Sequence, residues 1–257
     1  MKPGMKPRKA PVMSSTDPAD DGSRNESARA KRSQDQGWRP THAAEASSGV
    51  DISIPYSNPP TDRLMAFYAQ WAERYDADLI DTYGYMAPSD AVAGLMQLDL
   101  PHDAAILDAG CGTGQAGTLL AAAGYSCIDG ADLSAEMRAV AARHNVYRDL
   151  FEMDMTAPCG PQLAARNGGA RYDAVICVGV FGFGPPHVDD LPRIMDAARP
   201  GAPVLVTVNG KGWDLRGWDD SLMPVLEAAR IRLAARTRIR HMVAEGVHAE
   251  LLDLRRG

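Results

Sequence analysis

The run Ala105-Ile-Leu-Asp-Ala-Gly-Cys-Gly-Thr-Gly-Gln115 constrains this chain more than any other segment. A short aliphatic stretch reads as a buried strand. It ends on an acid, Asp108, and passes through Gly110, Gly112 and Gly114 before a helical pattern opens at Gln115. Glycines accept positive φ and let another group approach the backbone closely, and the first turn of the following helix presents free N–H groups at the same place. A strand, a glycine turn and a helix in that order make one half of a strand–helix–strand unit, so the neighbouring sequence should repeat the alternation.

It does. Strands are expected at 104–109, 126–131, 149–153, 172–179, 203–209, 230–236 and 247–254, with helices at about 115–123, 135–144, 188–198 and 216–228. Ser134 is placed to cap the second of these helices. Short aliphatic runs between amphipathic helices predict a mostly parallel sheet covered on both faces. The last two strands are joined through Ala244-Glu-Gly246 with no helix between them, which makes them an antiparallel pair at the sheet edge. The fold class is therefore α/β, Rossmann-like, with seven strands and an antiparallel C-terminal strand.

Upstream, Leu64, Phe67, Tyr68, Trp71, Tyr75 and Leu79 follow the spacing of one apolar helix face, with Thr61 or Asp62 as its cap. A second helix is expected from Ser89-Asp90 to Leu98, after Pro88. Residues 56–100 thus form an N-terminal helical lid region within a domain spanning 56–257. Residues 1–55 are rich in Ser, Pro and charge and hold hardly an aromatic or β-branched residue before Trp38, so they are expected to form a disordered tail.

Charge and cysteine usage narrow the partners. The chain carries −6 in all, and its first 50 residues hold nine Lys/Arg against six Asp/Glu, which leaves 51–257 at −9. So acidic a domain is a poor partner for a phosphate backbone, and nucleic acid is not expected. No stretch nears the roughly 18 consecutive apolar residues of a membrane span. The basic N-terminus is followed by no apolar run, so no secretory signal is expected. Cys111, Cys127, Cys159 and Cys177 form no C-x-x-C pair and sit in or beside expected strands, the pattern of reduced core thiols in the cytoplasm rather than of disulfides or zinc.

Two ligands compete for the glycine loop. Gly112-Thr-Gly114-Gln-Ala-Gly117 spells a dinucleotide fingerprint, and Asp132 stands near the distance of a ribose-binding acid. On that reading the chain is an NAD(P)-type oxidoreductase. Asp108 opposes it, because a pyrophosphate would meet a like charge there with no Lys or Arg in the loop to offset it. A sulfonium cofactor, S-adenosylmethionine, tolerates acids around it.

The string Ile106-Leu-Asp-Ala-Gly-Cys-Gly-Thr-Gly114 resembles the first motif of class I S-adenosylmethionine-dependent methyltransferases. Ile128-Asp-Gly-Ala-Asp-Leu-Ser134, Met153-Asp-Met155 and Tyr172-Asp-Ala-Val-Ile-Cys-Val-Gly179 resemble the endings of their second, third and fourth strands. The resemblance implies a cofactor site from Asp108, Gly110, Cys111, Gly112 and Gly114. It implies further that Asp132 holds the ribose hydroxyls, that Leu133 packs on adenine, that Asp154 beside Met155 meets the adenine amino group, and that the backbone near Val178 meets the methionine end. More narrowly, Tyr68-Ala-Gln-Trp-Ala-Glu-Arg-Tyr-Asp76, Tyr85-Met-Ala-Pro88, Val178-Gly-Val-Phe181, His187-Val188 and Arg199-Pro-Gly-Ala-Pro-Val-Leu-Val-Thr-Val-Asn209 are similar to the Williams–Beuren syndrome region methyltransferase-like family and its bacterial relatives. This chain has Pro186-His-Val where that family usually has Gly-His-Val, and Pro200-Gly-Ala202 where Pro-Gly-Gly is common.

Methyl transfer from a sulfonium asks mainly for a positioned acceptor and excluded water, and needs a base only if the nucleophile must lose a proton. Tyr75 and Tyr85, in the lid region that the resemblance places over the cofactor, either turn a ring face to the sulfonium or pack the core. His187, in the loop after the fourth strand, is the candidate base, with a capping role as the alternative. Phe181-Gly-Phe183-Gly-Pro-Pro either shapes an acceptor pocket or packs its loop, and Trp213 and Trp218 either close that pocket or fill the core. The expected acceptor is a small molecule, since no added substrate domain is evident, although no residue signature separates it from a protein side chain. A non-catalytic S-adenosylmethionine-binding module is the remaining alternative.

Overall fold

The computed structural model describes residues 53–257 apart from Gly168. All of the expected N-terminal tail before Ser53 lies outside the described residues.

The strands are β1 (Ala105–Ala109), β2 (Cys127–Asp132), β3 (Asp149–Glu152), β4 (Ala174–Phe181), β5 (Val204–Asn209), β6 (Ile231–Met242) and β7 (Val247–Arg256). They form one seven-stranded sheet in the order β3-β2-β1-β4-β5-β7-β6. Neighbours from β3 to β5 are parallel, and β7 runs antiparallel between β5 and β6. The strand order reverses between β2-β1 and β4, the point at which open α/β sheets part their connecting loops and leave a crevice.

Successive strand residues point to opposite faces, and both faces are buried. Leu107, Val175, Val204, Val206, Leu252 and Leu254 pack on one side with Trp218, Leu222 and Leu226. Ile106, Ile128, Ala174, Ile176 and Leu205 pack on the other against Ala91, Val92, Leu95 and Leu120. Each such aliphatic side chain contributes about 1.5–3 kcal/mol on leaving water. The helices supplying these layers are α1 (Thr61–Trp71), α2 (Ala87–Met96), α3 (Gln115–Ala122), α4 (Ala135–Ala141), α5 (Cys159–Asn167), α6 (Leu191–Ile194), α7 (Gly210–Arg216) and α8 (Trp218–Ala228). Ser134 caps α4, its hydroxyl accepting from the Met137 N–H at 3.2 Å. No helix among the described residues is long and apolar enough to cross a membrane.

Several elements differ from expectation for identifiable reasons. The 64–79 run is not one helix. It stops at Trp71 and resumes as a turn at Tyr75–Ala77 that widens into a π turn at Asp78–Thr82. The break lets the buried Asp78 carboxylate accept from the Trp71 indole at 2.8 Å. Neither Thr61 nor Asp62 caps α1; Pro60 occupies the cap position and Thr61 is the first helical residue. Helix α5 is not among the expected helices; its Pro161 stands in the first turn, where proline forfeits no intrahelical bond. The expected 216–228 helix is α8, and a further helix, α7, precedes it, capped by Asn209 and ended by Gly217 with φ 64°. The 188–198 segment keeps only four α-helical residues between 3₁₀ turns.

The most consequential difference is β6, which continues to Met242 rather than ending at 236. Its alternating arginines hid the pattern: Arg236 and Arg240 stand on the solvent side while Ile239 and His241 are buried. The far end of β6 meets the lid, with the Met86 N–H donating to the His241 carbonyl at 2.8 Å. There Phe67, Trp71, Leu79 and Tyr83 of the lid pack with Met242 and Val247.

Candidate cofactor and acceptor site

Three hollows adjoin along the carboxyl ends of the strands. The first, about 790 Å³, lies over the loops after β1, β2 and β3, and the lid covers it with Leu64, Met65, Tyr68 and Tyr75. The second, about 330 Å³, reaches down beside the glycine loop to Asp108. The third, about 670 Å³, lies between the lid and the ends of β4, β5 and β6. Tyr75 lines all three. Among the described residues, no lysine or arginine lines any of the three.

The glycine loop hangs from β2, since the Gly110 and Cys111 N–H groups both donate to the Ala131 carbonyl, at 2.7 and 2.9 Å. Gly112 has φ 53°, and a Cβ built on it meets nothing within 4 Å, so its exposed side is open to the hollows. Gly114 lines no hollow; its missing side chain makes room for Ala141, His144 and Tyr147. Gly117, the last glycine of the literal fingerprint, likewise faces protein: a Cβ there would sit 2.2 Å from the Tyr147 ring.

At the end of β2, Asp132 accepts from the Gly112 N–H through Oδ2 at 2.9 Å and from the Ser134 N–H through Oδ1 at 2.8 Å. Each oxygen keeps a lone pair for a further donor. Burial raises its pKa and these backbone bonds oppose the rise. At the end of β3, Asp154 Oδ1 takes the N–H and hydroxyl of Thr156, and Gln162 clasps the Asp154 backbone, accepting from its N–H and donating to its carbonyl. Leu133, Met155 and Val178 complete the first hollow.

Asp108 is only 1% exposed. Its Oδ2 accepts from the Tyr147 hydroxyl at 2.7 Å and the Gly117 N–H at 3.1 Å. Burial outweighs these bonds and pushes its pKa up to about 7. The carboxyl thus joins strand to helix beneath the loop while lining the floor of the second hollow, together with Cys111, whose thiol burial also pushes up.

The lid is fastened to the loop by a residue absent from the expected set. Asp76 Oδ1 accepts from the Thr113 hydroxyl at 2.5 Å and from the Gln115 carboxamide at 2.7 Å. The only sequence signal for it was its place at the end of the Tyr68–Asp76 segment. Tyr75 stacks edge-on against Trp71, and Tyr85 lines the second and third hollows with its ring edge-on to His241. Burial raises both phenols well above their ordinary range.

His187 stands apart from this group. It lines none of the three hollows, which end at Pro185 and Pro186. It caps the turn at Val188–Asp190, and its backbone N–H donates to Asp190 at 2.7 Å. Its pKa is lowered by burial and by Arg216. His187 thus stands at the cap of this turn, outside the three hollows. Trp213 and Trp218 are stacked in the core at 5.4 Å rather than closing a pocket, whereas Phe181 and Phe183 do wall the third hollow.

Residues 106–201 match the family described as Methyltransferase domain. Human methyltransferase-like protein 27 is 31% identical over 167 residues, 64% of this chain and 65% of that protein, so the chain spans somewhat less than two thirds of that relative's length. The TehB-like S-adenosylmethionine-dependent methyltransferase of Corynebacterium glutamicum shares the fold at a TM-score of 0.53 and 20% identity, over 75% of this chain and 99% of that one. The 1,6-didemethyltoxoflavin-N1-methyltransferase of Burkholderia thailandensis, solved with its acceptor and S-adenosylhomocysteine, shares it at 0.53 and 19%, over 77% and 90%.

Proposed function

We propose that this chain, whose residues 106–201 match the family described as Methyltransferase domain, is a class I enzyme that takes S-adenosylmethionine and moves its methyl group to a small-molecule acceptor. The observation that carries the reading is the meeting of Asp108, Asp132 and Asp154, from the ends of three successive parallel strands, around adjoining hollows that no basic side chain among the described residues lines. A dinucleotide pyrophosphate brings two negative charges into that acidic setting. A sulfonium and an ammonium bring positive ones.

The residues present fit the cofactor. Gly112 leaves an unfilled face on the loop, Asp132 has acceptor capacity for a ribose diol, and Leu133 and Met155 provide apolar walls for a base, with Asp154 beside them. The cofactor supplies an already activated methyl carbon. The chain's own part is to hold, orient and cover, and the lid tyrosines with the Asp76 latch serve that end. We place the protein in the cytoplasm, where buried thiols such as Cys111, Cys159 and Cys177 stay reduced. The −9 charge of residues 51–257 argues against nucleic acid as acceptor.

Calorimetric titration tests the reading. S-adenosylmethionine and S-adenosylhomocysteine should bind at about micromolar Kd, and Asp132→Ala should weaken both by roughly tenfold or more. Binding of a nicotinamide dinucleotide with no affinity for either would overturn it.

A further inference from the structure

The third hollow has a composition of its own. Its walls are aromatic, from Tyr56, Tyr68, Tyr85 and Phe183, and among the described residues no Asp, Glu, Lys or Arg lines it. It opens onto the first hollow along Gly179 and Val180, beneath Tyr68 and Tyr75, which line both. Tyr85 comes close at this seam because Gly179 has no side chain; a Cβ there would lie 2.4 Å from the Tyr85 hydroxyl.

Into this aromatic-walled, uncharged space β6 brings one imidazole. His241 is 5% exposed and lines the hollow, and its Nδ1 has no hydrogen-bond partner among the described residues. Folded proteins pair nearly all buried polar side-chain atoms, so an unpaired one on a cavity wall marks a place where a ligand completes the bond. Asn209 also lines the hollow, and its carboxamide oxygen is committed to capping α7.

We propose that this hollow is the acceptor site and that it takes a flat, uncharged aromatic compound whose phenolic O–H or ring N–H donates to His241 Nδ1. The proposal rests on the methyltransferase reading above and adds the acceptor class and the residue that meets it. The rings of Tyr56, Tyr85 and Phe183 supply edges and faces for a planar guest. The lack of any charged wall residue excludes phosphates, carboxylates and protonated amines, whose desolvation nothing here would offset. Burial lowers the His241 pKa to about 4, so at neutral pH the ring is uncharged and able to accept. In the transfer, the acceptor's oxygen or nitrogen lone pair forms the bond to the methyl carbon as the carbon–sulfur bond breaks with its electrons to sulfur. The acceptor's proton passes to His241 and from there to water.

The test uses the full chain saturated with S-adenosylhomocysteine and three probes on one ring system: 2-naphthol, 2-naphthoate and 2-naphthylmethylammonium. Calorimetry should show 2-naphthol binding with Kd below about 1 mM and the two ions at least roughly tenfold weaker. His241→Phe, which keeps ring volume, should lose about tenfold for 2-naphthol, and His241→Asn, which restores an acceptor, should recover part of it. Both variants should keep the wild-type affinity for S-adenosylhomocysteine. In the wild-type chain, the His241 imidazole nitrogen resonance should shift on addition of 2-naphthol. Failure of 2-naphthol to bind, equal binding of either ion, an unmoved resonance, or an undiminished His241→Phe variant overturns the proposal. If S-adenosylhomocysteine itself does not bind, the methyltransferase reading fails instead, and 2-naphthol titrated into the ligand-free chain still reports on the hollow.

Discussion

The Tyr147 hydroxyl donates to Asp108 Oδ2 across 2.7 Å, while its ring fills the spaces left open by Gly117 and Gly130. One side chain thereby joins β1, β2 and α3 beneath the glycine loop. Tyr147→Phe removes the hydroxyl and leaves the buried carboxyl with the Gly117 N–H alone. We expect a loss of about 1–3 kcal/mol in urea unfolding, with little change in the shape of the cofactor hollow.

The same carboxyl makes stability depend on pH. Burial holds its folded pKa at about 7, above the roughly 3.9 of an unfolded aspartate. The folded state therefore keeps the proton more tightly. This contribution is present in full below the unfolded pKa and is lost as pH rises through about 7. Asp108→Asn mimics the protonated form at every pH. Its stability relative to wild type should grow by a few kcal/mol between about pH 4 and pH 8. A difference that stays constant across that range would show that Asp108 does not titrate as described.

Two glycines of the fingerprint should respond to alanine in opposite ways. At Gly117 the new Cβ meets the Tyr147 ring at 2.2 Å, so Gly117→Ala should lower stability by about 1–3 kcal/mol or more. At Gly112 the Cβ meets no protein atom, and the cost is the strain of φ 53°, about 1 kcal/mol. It does, however, enter the space assigned to the cofactor. Gly112→Ala should thus spare the melting temperature and cut S-adenosylmethionine affinity by roughly tenfold or more, the reverse of Gly117→Ala.

Asp76 ties the lid to the loop through Thr113 and Gln115. Asp76→Ala should free that contact without touching the core. Stopped-flow measurement should find cofactor release faster by roughly tenfold. Asp76→Asn, which keeps an acceptor oxygen, should fall between. An unchanged release rate in the alanine variant would mean that the latch does not govern the lid.

The parallel sheet and the acids on its edge were legible because their signals are local. A strand needs only a few aliphatic residues, and the acids at 108, 132 and 154 stand at or just past the ends of strands that a short window reveals. The 64–79 helix was misjudged because Asp78 hydrogen-bonds Trp71 across the break, which apolar periodicity does not register. Gly117 completes the literal dinucleotide string, yet it is held to glycine by Tyr147, a residue with no motif of its own. His187 was favoured for its loop position after β4, and only the fold shows its cap with Asp190.

The sequence by itself determined the order of strands and helices, the glycine turn and the side of the sheet on which a ligand would lie. Backbone propensity and side-chain period act within a few residues, so these features are written where they occur. The tertiary structure alone decided what faces the acceptor. His241 lies at the end of an arginine-rich edge strand and reaches the hollow because that strand pairs onward to meet Tyr85 and Met86 of the lid. Such a wall is made by packing between distant segments, and packing has no period that a local reading of the chain can detect.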